Sequence, residues 1–229
     1  MPTRRGFLQG AIAFALFAGR DAGGLAAALP MRAPSARADA GADAATAHPY
    51  CRHVDIFIGT GGHGHTYPGA TRPFGMVQLS PDTYNADWDA CSGYHLGDGS
   101  IMGFSHTHLS GTGASDMLDL LLMPATGPDH IAPGTRKHPQ AGYRSRYDHA
   151  DEIAEPGYYA VLLKDYGVHA ELTASERAGI HRYRFPAGKP GHIVLDWAHG
   201  FQDGPDKPTR VSDASLALVD ERTVTGGRG

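Results

Sequence analysis

Cysteine is almost missing from this chain: Cys51 and Cys91 are the only two in 229 residues. That excludes a disulfide framework and a cysteine-built zinc module, and it leaves open whether the two thiols pair. Long apolar runs are missing too, since beyond the first forty residues no segment approaches the roughly 18 apolar residues of a membrane span. Helical periodicity is equally scarce. Apart from a short turn near Asp116–Leu121, no long window shows apolar residues at spacings of three and four with a cap at each end. Basic residues are in deficit: setting aside residues 1–40, which hold five Arg and two Asp, leaves 15 basic against 22 acidic residues and a formal charge of −7. Nucleic acid is therefore not an expected partner. There is no internal repeat, and no low-complexity tract outside the leader.

What is present begins with that leader. Thr3-Arg4-Arg5-Gly6-Phe7-Leu8 is a twin-arginine signature, followed by an apolar stretch from Ala11 to Gly19 and an Ala/Gly-rich run. It reads as a Tat export signal over residues 1–40, with small-x-small cleavage sites at Ala36-Arg37-Ala38 and Ala38-Asp39-Ala40. Residues 41–52 read as a flexible linker and 53–229 as the folded domain, exported to the periplasm or beyond the cell, with no membrane contact once the signal is removed.

The folded part is expected to be mainly β. Residues 53–127 are rich in loops, with short apolar runs (Val54–Ile58, Met76–Leu79, Leu118–Met123) between clusters of Gly, Pro, Asp and His, a punctuation that predicts short strands joined by structured loops. From Tyr158 onward the punctuation becomes regular: YYAVLLKD, VHAELTAS, GIHRYRF, HIVLDW, SLALVD and TVTG follow one another as β-meander strands. Polar positions alternate along them (His169, Glu171, Thr173; His181, Tyr183, Phe185), which implies a β-sandwich, supersandwich-like, of antiparallel strands with long glycine-rich loops.

Three chemistries compete for the glycine- and histidine-rich half. Gly59, Gly61 and Gly64 spell G-x-G-x-x-G after the apolar run Val54–Ile58, but a dinucleotide site needs a helix to start there, and Pro68 and Pro73 stand in its place. No Gly-Lys-Ser/Thr follows, which removes a phosphate loop. Five of the fourteen histidines (His63, His65, His95, His106, His108) lie in this half, with two H-x-H pairs that could hold zinc if Asp89 or Asp116 supplied a third ligand. No HExxH pattern supports that. The third reading is a sugar site: Trp88-Asp89-Ala90-Cys91-Ser92-Gly93-Tyr94-His95 offers an indole for the apolar face of a pyranose, and carboxylate and imidazoles for its hydroxyls.

VDIFIGTGGHGHTYPGATRPFGMVQLSPDT, WDACSGYH, GFSHTHLSGTGASD and LLLMPATG, in this order and spacing, closely resemble the N-terminal domain of the glycoside hydrolase family 92 exo-α-mannosidases. The resemblance runs from about His53 to the end. It implies a β-sandwich packed against a larger helical (α/α)6 domain, with calcium-assisted, inverting hydrolysis of terminal α-mannosides at the interface. It also implies that the acid, the base and the calcium ligands belong to the C-terminal domain, absent here, so no catalytic residue and no metal ligand is assigned to this chain. The expected substrate-binding residues are Trp88, Asp89, Gly61, Gly62, His63, His65, Cys91 and His95, with His106 and His108 nearby. The partner is a mannose-containing glycan, of N-glycan or mannan type, and the chain is expected to be a fragment inactive alone; the alternative is a free-standing carbohydrate-binding module.

Overall fold

A computed structural model describes residues 14–15 and 49–229, other than Ser115 and Pro205. Apart from Phe14–Ala15, the export leader lies outside the described residues, as does most of the linker. In chain order the strands are β1 (Phe14–Ala15), β2 (Ala70–Thr71), β3 (Gln78–Asp82), β4 (Ser100–Ile101), β5 (Gly103–Ser105), β6 (Leu121–Thr126), β7 (Ser145–Arg146), β8 (Ile153–Glu155), β9 (Tyr158–Leu163), β10 (Val168–Ala174), β11 (Gly179–Arg184), β12 (Gly191–Asp196), β13 (Ala214–Asp220) and β14 (Thr223–Arg228). Among the described residues helix is confined to single 3₁₀ turns, such as Trp88–Ala90. The fold is mainly antiparallel β, as the sequence pattern required.

The chain divides into two compact units. The smaller includes Ser215–Gly227, and its sheet has the order β1-β14-β13, with Phe14 opposite Val224. The larger, Val54–Ala214 with Arg228–Gly229, carries a four-stranded sheet β11-β10-β9-β8, a five-stranded sheet β12-β6-β5-β3-β2 and the small pair β4-β7. Strand alternation explains the core. On β10, Val168, Ala170 and Leu172 are buried and lie opposite Leu163, Val161 and Tyr159 of β9, so one face of the pair is apolar. The five-stranded sheet adds Leu79, Phe104, Leu121 and Met123 to the same cluster. Each such side chain contributes about 1.5–3 kcal/mol of burial.

Two sequence expectations fail locally. Val54–Ile58 is a series of turns, not a strand: the Asp55 carboxylate accepts from Phe57 N, Thr60 N donates to Phe57 O, and Gly59 takes a φ of 84°. The aspartate side chain and the left-handed glycine turn the backbone away from a sheet edge. Near Asp116–Leu121 no helical turn forms; Met117, Leu118 and Leu120 instead adopt left-handed φ values of 69°, 62° and 59°. Buried Leu118 and Leu120 meet that backbone cost, because Leu118 N donates to Thr107 O and Leu118 packs with Cys91 and Phe201.

On β11 the alternation is as expected but its sense is informative. His181, Tyr183 and Phe185 face inward and Ile180 is exposed. The inward polar groups are satisfied in series. His106 Nδ1–H donates to Leu120 O (2.9 Å), His181 Nε2–H donates to His106 Nε2 (3.0 Å), and the Tyr183 hydroxyl donates to His181 Nδ1 (2.7 Å). A carbonyl can only accept, so this order fixes both imidazoles as neutral tautomers. Burial lowers the His106 pKa to about 4 and drives His181 well below its ordinary value, with the charge on His106 acting in the same direction.

Candidate functional site

The loop from Gly59 to Thr66 folds back on itself. Gly64 N donates to Gly61 O, Thr66 N donates to Gly59 O, and a Cβ on Gly64 would collide with the Gly59 carbonyl. No helix starts here, so the dinucleotide spelling has no structural counterpart. The glycines bend the loop until His63 and His65 both stand against one indole: the Trp88 ring centroid is 5.1 Å from that of His63 and 4.4 Å from that of His65, the second edge-on at 87°. His65 reaches this position through a left-handed φ of 53° and is 6% exposed, and its Nε2 is buried without a hydrogen-bond partner among the described residues.

Trp88 opens a 3₁₀ turn capped by Asp87, whose carboxylate accepts from Ala90 N at 3.1 Å. The turn holds the indole outward at 55% exposure, high for a tryptophan already contacted by two imidazoles. On its other side Gly113 lies flush with the ring, where a Cβ would run into the indole at Nε1. Cys91 ties that strap down: its buried thiol donates to Gly113 O at 3.3 Å. Burial, reinforced by the negative charges of Asp87 and Asp89, raises the Cys91 pKa, so the sulfur acts as a small packed donor.

Asp89 Oδ1 lies 2.5 Å from His63 Nδ1, and this hydrogen bond is the leading cause of the lowered Asp89 pKa. His95 braces the loop from beneath. Its Nδ1 accepts from Gly97 N at 3.0 Å, so Nε2–H donates to Gly62 O at 3.3 Å, and Leu96 N donates to Thr60 O beside Gly61. Of the residues named from the sequence, His63 and His65 contact the Trp88 ring, Asp89 follows it in the 3₁₀ turn and binds His63, Cys91 holds Gly113, and His95 holds Gly62 next to Gly61. An open cleft beside the indole continues past Ala86, Asp87, Phe201, Gln202 and Asp203.

His106 and His108 take separate places. His106 belongs to the relay with His181, while His108 Nε2–H donates to the buried Asp82 Oδ1 (2.7 Å) and His199 Nε2–H to Asp82 Oδ2 (2.8 Å). Burial opposes the charge on Asp82, yet His108 and His199 together hold its carboxyl well below the usual range. Among the described residues no group of three or more His, Cys, Asp or Glu is arranged to hold a metal ion. The H-x-H zinc site does not form, because the loop after Ser105 turns the two imidazoles toward different partners. Asp82 lies between two histidines, Asp87 caps a turn and Asp89 is bound to His63. Cys51 and Cys91 are both free thiols.

Sequence reasoning missed Gly113, Asp82 and His199 as parts of this region. Gly113 belongs to the GFSHTHLSGTGASD motif, but nothing in its neighbours shows that it lies against an indole 25 residues earlier.

Residues 53–229 match the glycosyl hydrolase family 92 N-terminal domain. An uncharacterized secreted glycosidase of Arthroderma benhamiae is 33% identical over 137 residues, which cover 59% of this chain and 17% of that protein. A family 92 α-mannosidase of Bacteroides thetaiotaomicron, solved in complex with mannoimidazole, superposes with a TM-score of 0.72 at 44% identity, covering 78% of this chain and 23% of that one. An inverting family 92 mannosidase of the same organism superposes at 0.53 with 25% identity, over 64% of this chain and 19% of that one. The chain spans about a fifth of the length of these relatives.

Proposed function

The chain belongs to glycosyl hydrolase family 92, as its N-terminal domain, and on that premise we propose that it supplies the sugar-contacting half of an exported α-mannosidase. The carrying observation is Trp88, half exposed yet gripped by His63, His65 and Gly113: an indole fixed before any ligand arrives. Preorganisation of this kind lowers the ordering cost of binding, and an indole face matches the C–H face of a pyranose.

In this reading the substrate is a terminal α-mannoside of an N-glycan or mannan, cleaved with inversion, the stereochemical course by which one structural relative is described. Inversion needs two carboxyl groups about 6.5–9.5 Å apart, one as acid and one to activate water. The carboxylates around Trp88 are engaged by His63 and by the 3₁₀ turn, so the acid, the base and the calcium ligands are assigned to a further, helical domain. The N-terminal leader delivers the protein through the twin-arginine pathway; a secreted relative supports export, and no described helix is long and apolar enough to cross a membrane.

The test is hydrolysis of an aryl α-mannoside by this chain and by a version extended with the helical domain, each with and without calcium. The expected result is calcium-dependent turnover by the longer protein alone, reduced by Trp88→Ala. Turnover by the 229-residue chain would overturn the split-site reading. Sugar binding with no turnover by the extended protein would favour a carbohydrate-binding module.

A further inference from the structure

A second cleft, of about 380 Å³, shares no lining residue with the one beside Trp88. Arg136, Lys137 and Arg146 line it together with Ser100 and Gln140, and no acidic residue is among its described lining, although the whole chain has a net charge of −4. Local structure sets the cations there. Thr135 and His138 exchange backbone hydrogen bonds (3.4 and 3.1 Å), which leaves Arg136 and Lys137 at the tip of a closed turn. The pair β4-β7 places Ser100 opposite Arg146. Each guanidinium is held by a carboxylate that does not line the cleft: Arg136 Nη1 donates to Asp98 Oδ1 (3.1 Å), with the guanidinium 3.7 Å from the centre of the Tyr84 ring, and Arg146 Nε donates to Asp165 Oδ1 (2.8 Å). Nε and Nη2 of Arg136 and Nη1 of Arg146 make no hydrogen bond to a described residue, and Lys137 pairs with no described carboxylate. A fourth cation reaches Ser100 from the interior. Arg144 is 2% exposed, and its Nη1 donates to Thr83 O (2.6 Å) and to Ser100 Oγ (3.2 Å) rather than to a carboxylate. Burial lowers its pKa to about 10, so it keeps its charge at neutral pH. Ser100 Oγ accepts from Arg144, which leaves the buried serine's own O–H to donate.

We propose that this cleft binds a tetrahedral oxyanion, a phosphate or sulfate group, through Arg136, Lys137, Arg146 and the Ser100 hydroxyl. Four cations against the carboxylates of Asp98 and Asp165 leave the region positive, and the guanidiniums are fixed before the anion arrives. Such an anion offers three or more acceptor oxygens to donors that come from the Thr135–His138 turn and from β4-β7, whereas a carboxylate offers two and engages fewer of them. No residue is shared with the sugar contacts proposed above, so the failure of either site leaves the other standing.

The test is calorimetric titration of the full chain at neutral pH and matched ionic strength with inorganic phosphate, sulfate, glucose 6-phosphate and acetate. The proteins are the wild type, Arg136→Gln, Lys137→Gln, the double variant, and Lys189→Gln as an exposed lysine outside the cleft. The expected result is saturable binding of phosphate and sulfate, weakened about tenfold by either single substitution and lost in the double variant, with acetate at least about tenfold weaker and Lys189→Gln unchanged. Tighter binding of glucose 6-phosphate than of inorganic phosphate supports the site as one for a phosphorylated sugar, and the reverse order supports it as one for the free ion. Lys137 makes no hydrogen bond or ion pair to a described residue, so Lys137→Gln keeps the test decisive even if Arg136→Gln, which gives up its Asp98 and Tyr84 contacts, fails to fold. No saturable binding by the wild type, binding unchanged in Lys137→Gln, or an equal loss in Lys189→Gln overturns the inference.

Discussion

The neutral chain from Leu120 O through His106 and His181 to Tyr183 makes the sandwich sensitive to acid in a defined window. The perturbation is a pH drop from 7 to 5. His106 titrates at 6.5 when unfolded and at about 4 in the fold, because burial disfavours its imidazolium. Between those values the unfolded state binds the extra proton, so stability rises with pH; it is complete above 6.5 and lost as pH falls toward 4. For this one group the loss is about 2 kcal/mol at pH 5 and about 3 kcal/mol at pH 4. His181, shifted in the same direction, adds to it. For a domain of this size that corresponds to a Tm lower by roughly 4–8 °C at pH 5 than at pH 7. The depressed carboxylates do not confuse the window: Glu171, held at about 2 chiefly by its hydrogen bond from Arg182, and Asp82 lose their contribution only below their unfolded values near 4. The assay is urea unfolding at pH 7, 6, 5 and 4 on the wild type and on His106→Gln, which can still donate to Leu120 O and accept from His181 but does not titrate. The variant should be less stable at pH 7 and flatter with pH. A wild type equally stable at pH 7 and 5, or a His106→Gln with an unchanged pH slope, would refute the reasoning.

Other consequences follow from the same geometry. Gly113→Ala places a methyl group in the indole and should displace Trp88, seen as a changed tryptophan emission and weakened mannoside binding, with a small change in unfolding midpoint because the strap is at the surface. Asp82→Asn removes the charge between His108 and His199, both almost fully buried, and should cost about 3–5 kcal/mol in chemical denaturation; a loss under about 1 kcal/mol would show the triad to be unimportant. Gly64→Ala forces a Cβ against the Gly59 carbonyl and should open the loop that carries His63, abolishing sugar-dependent fluorescence while leaving the far-UV spectrum of the sheets intact.

Much of the larger unit was legible because strand burial is a local, period-two signal. Val168, Ala170 and Leu172 announce an inward face on their own, and the scarcity of three-four spacing left no helix to place. The residues around Trp88 were legible for a different reason: an indole, a carboxylate, imidazoles and glycines crowded between Gly61 and His95 have few other uses. The failures are the places where a side chain overrode the local pattern. Asp55 and Gly59 turned an apolar run into turns, and left-handed Leu118 is held by Thr107, Cys91 and Phe201 from other parts of the chain.

By itself, then, the sequence determined the class of fold, the family and the residue types of the site, since each depends on short-range order along the chain. Only the tertiary structure decided which partners those residues have. The two H-x-H pairs are alike in spelling, yet His63 and His65 meet one indole, while His106 joins the relay to β11 and His108 joins Asp82 to His199. A ring nitrogen's role is set by what the fold brings within about 3 Å of it. Contacts between residues 75 or 117 positions apart leave no trace in local spacing.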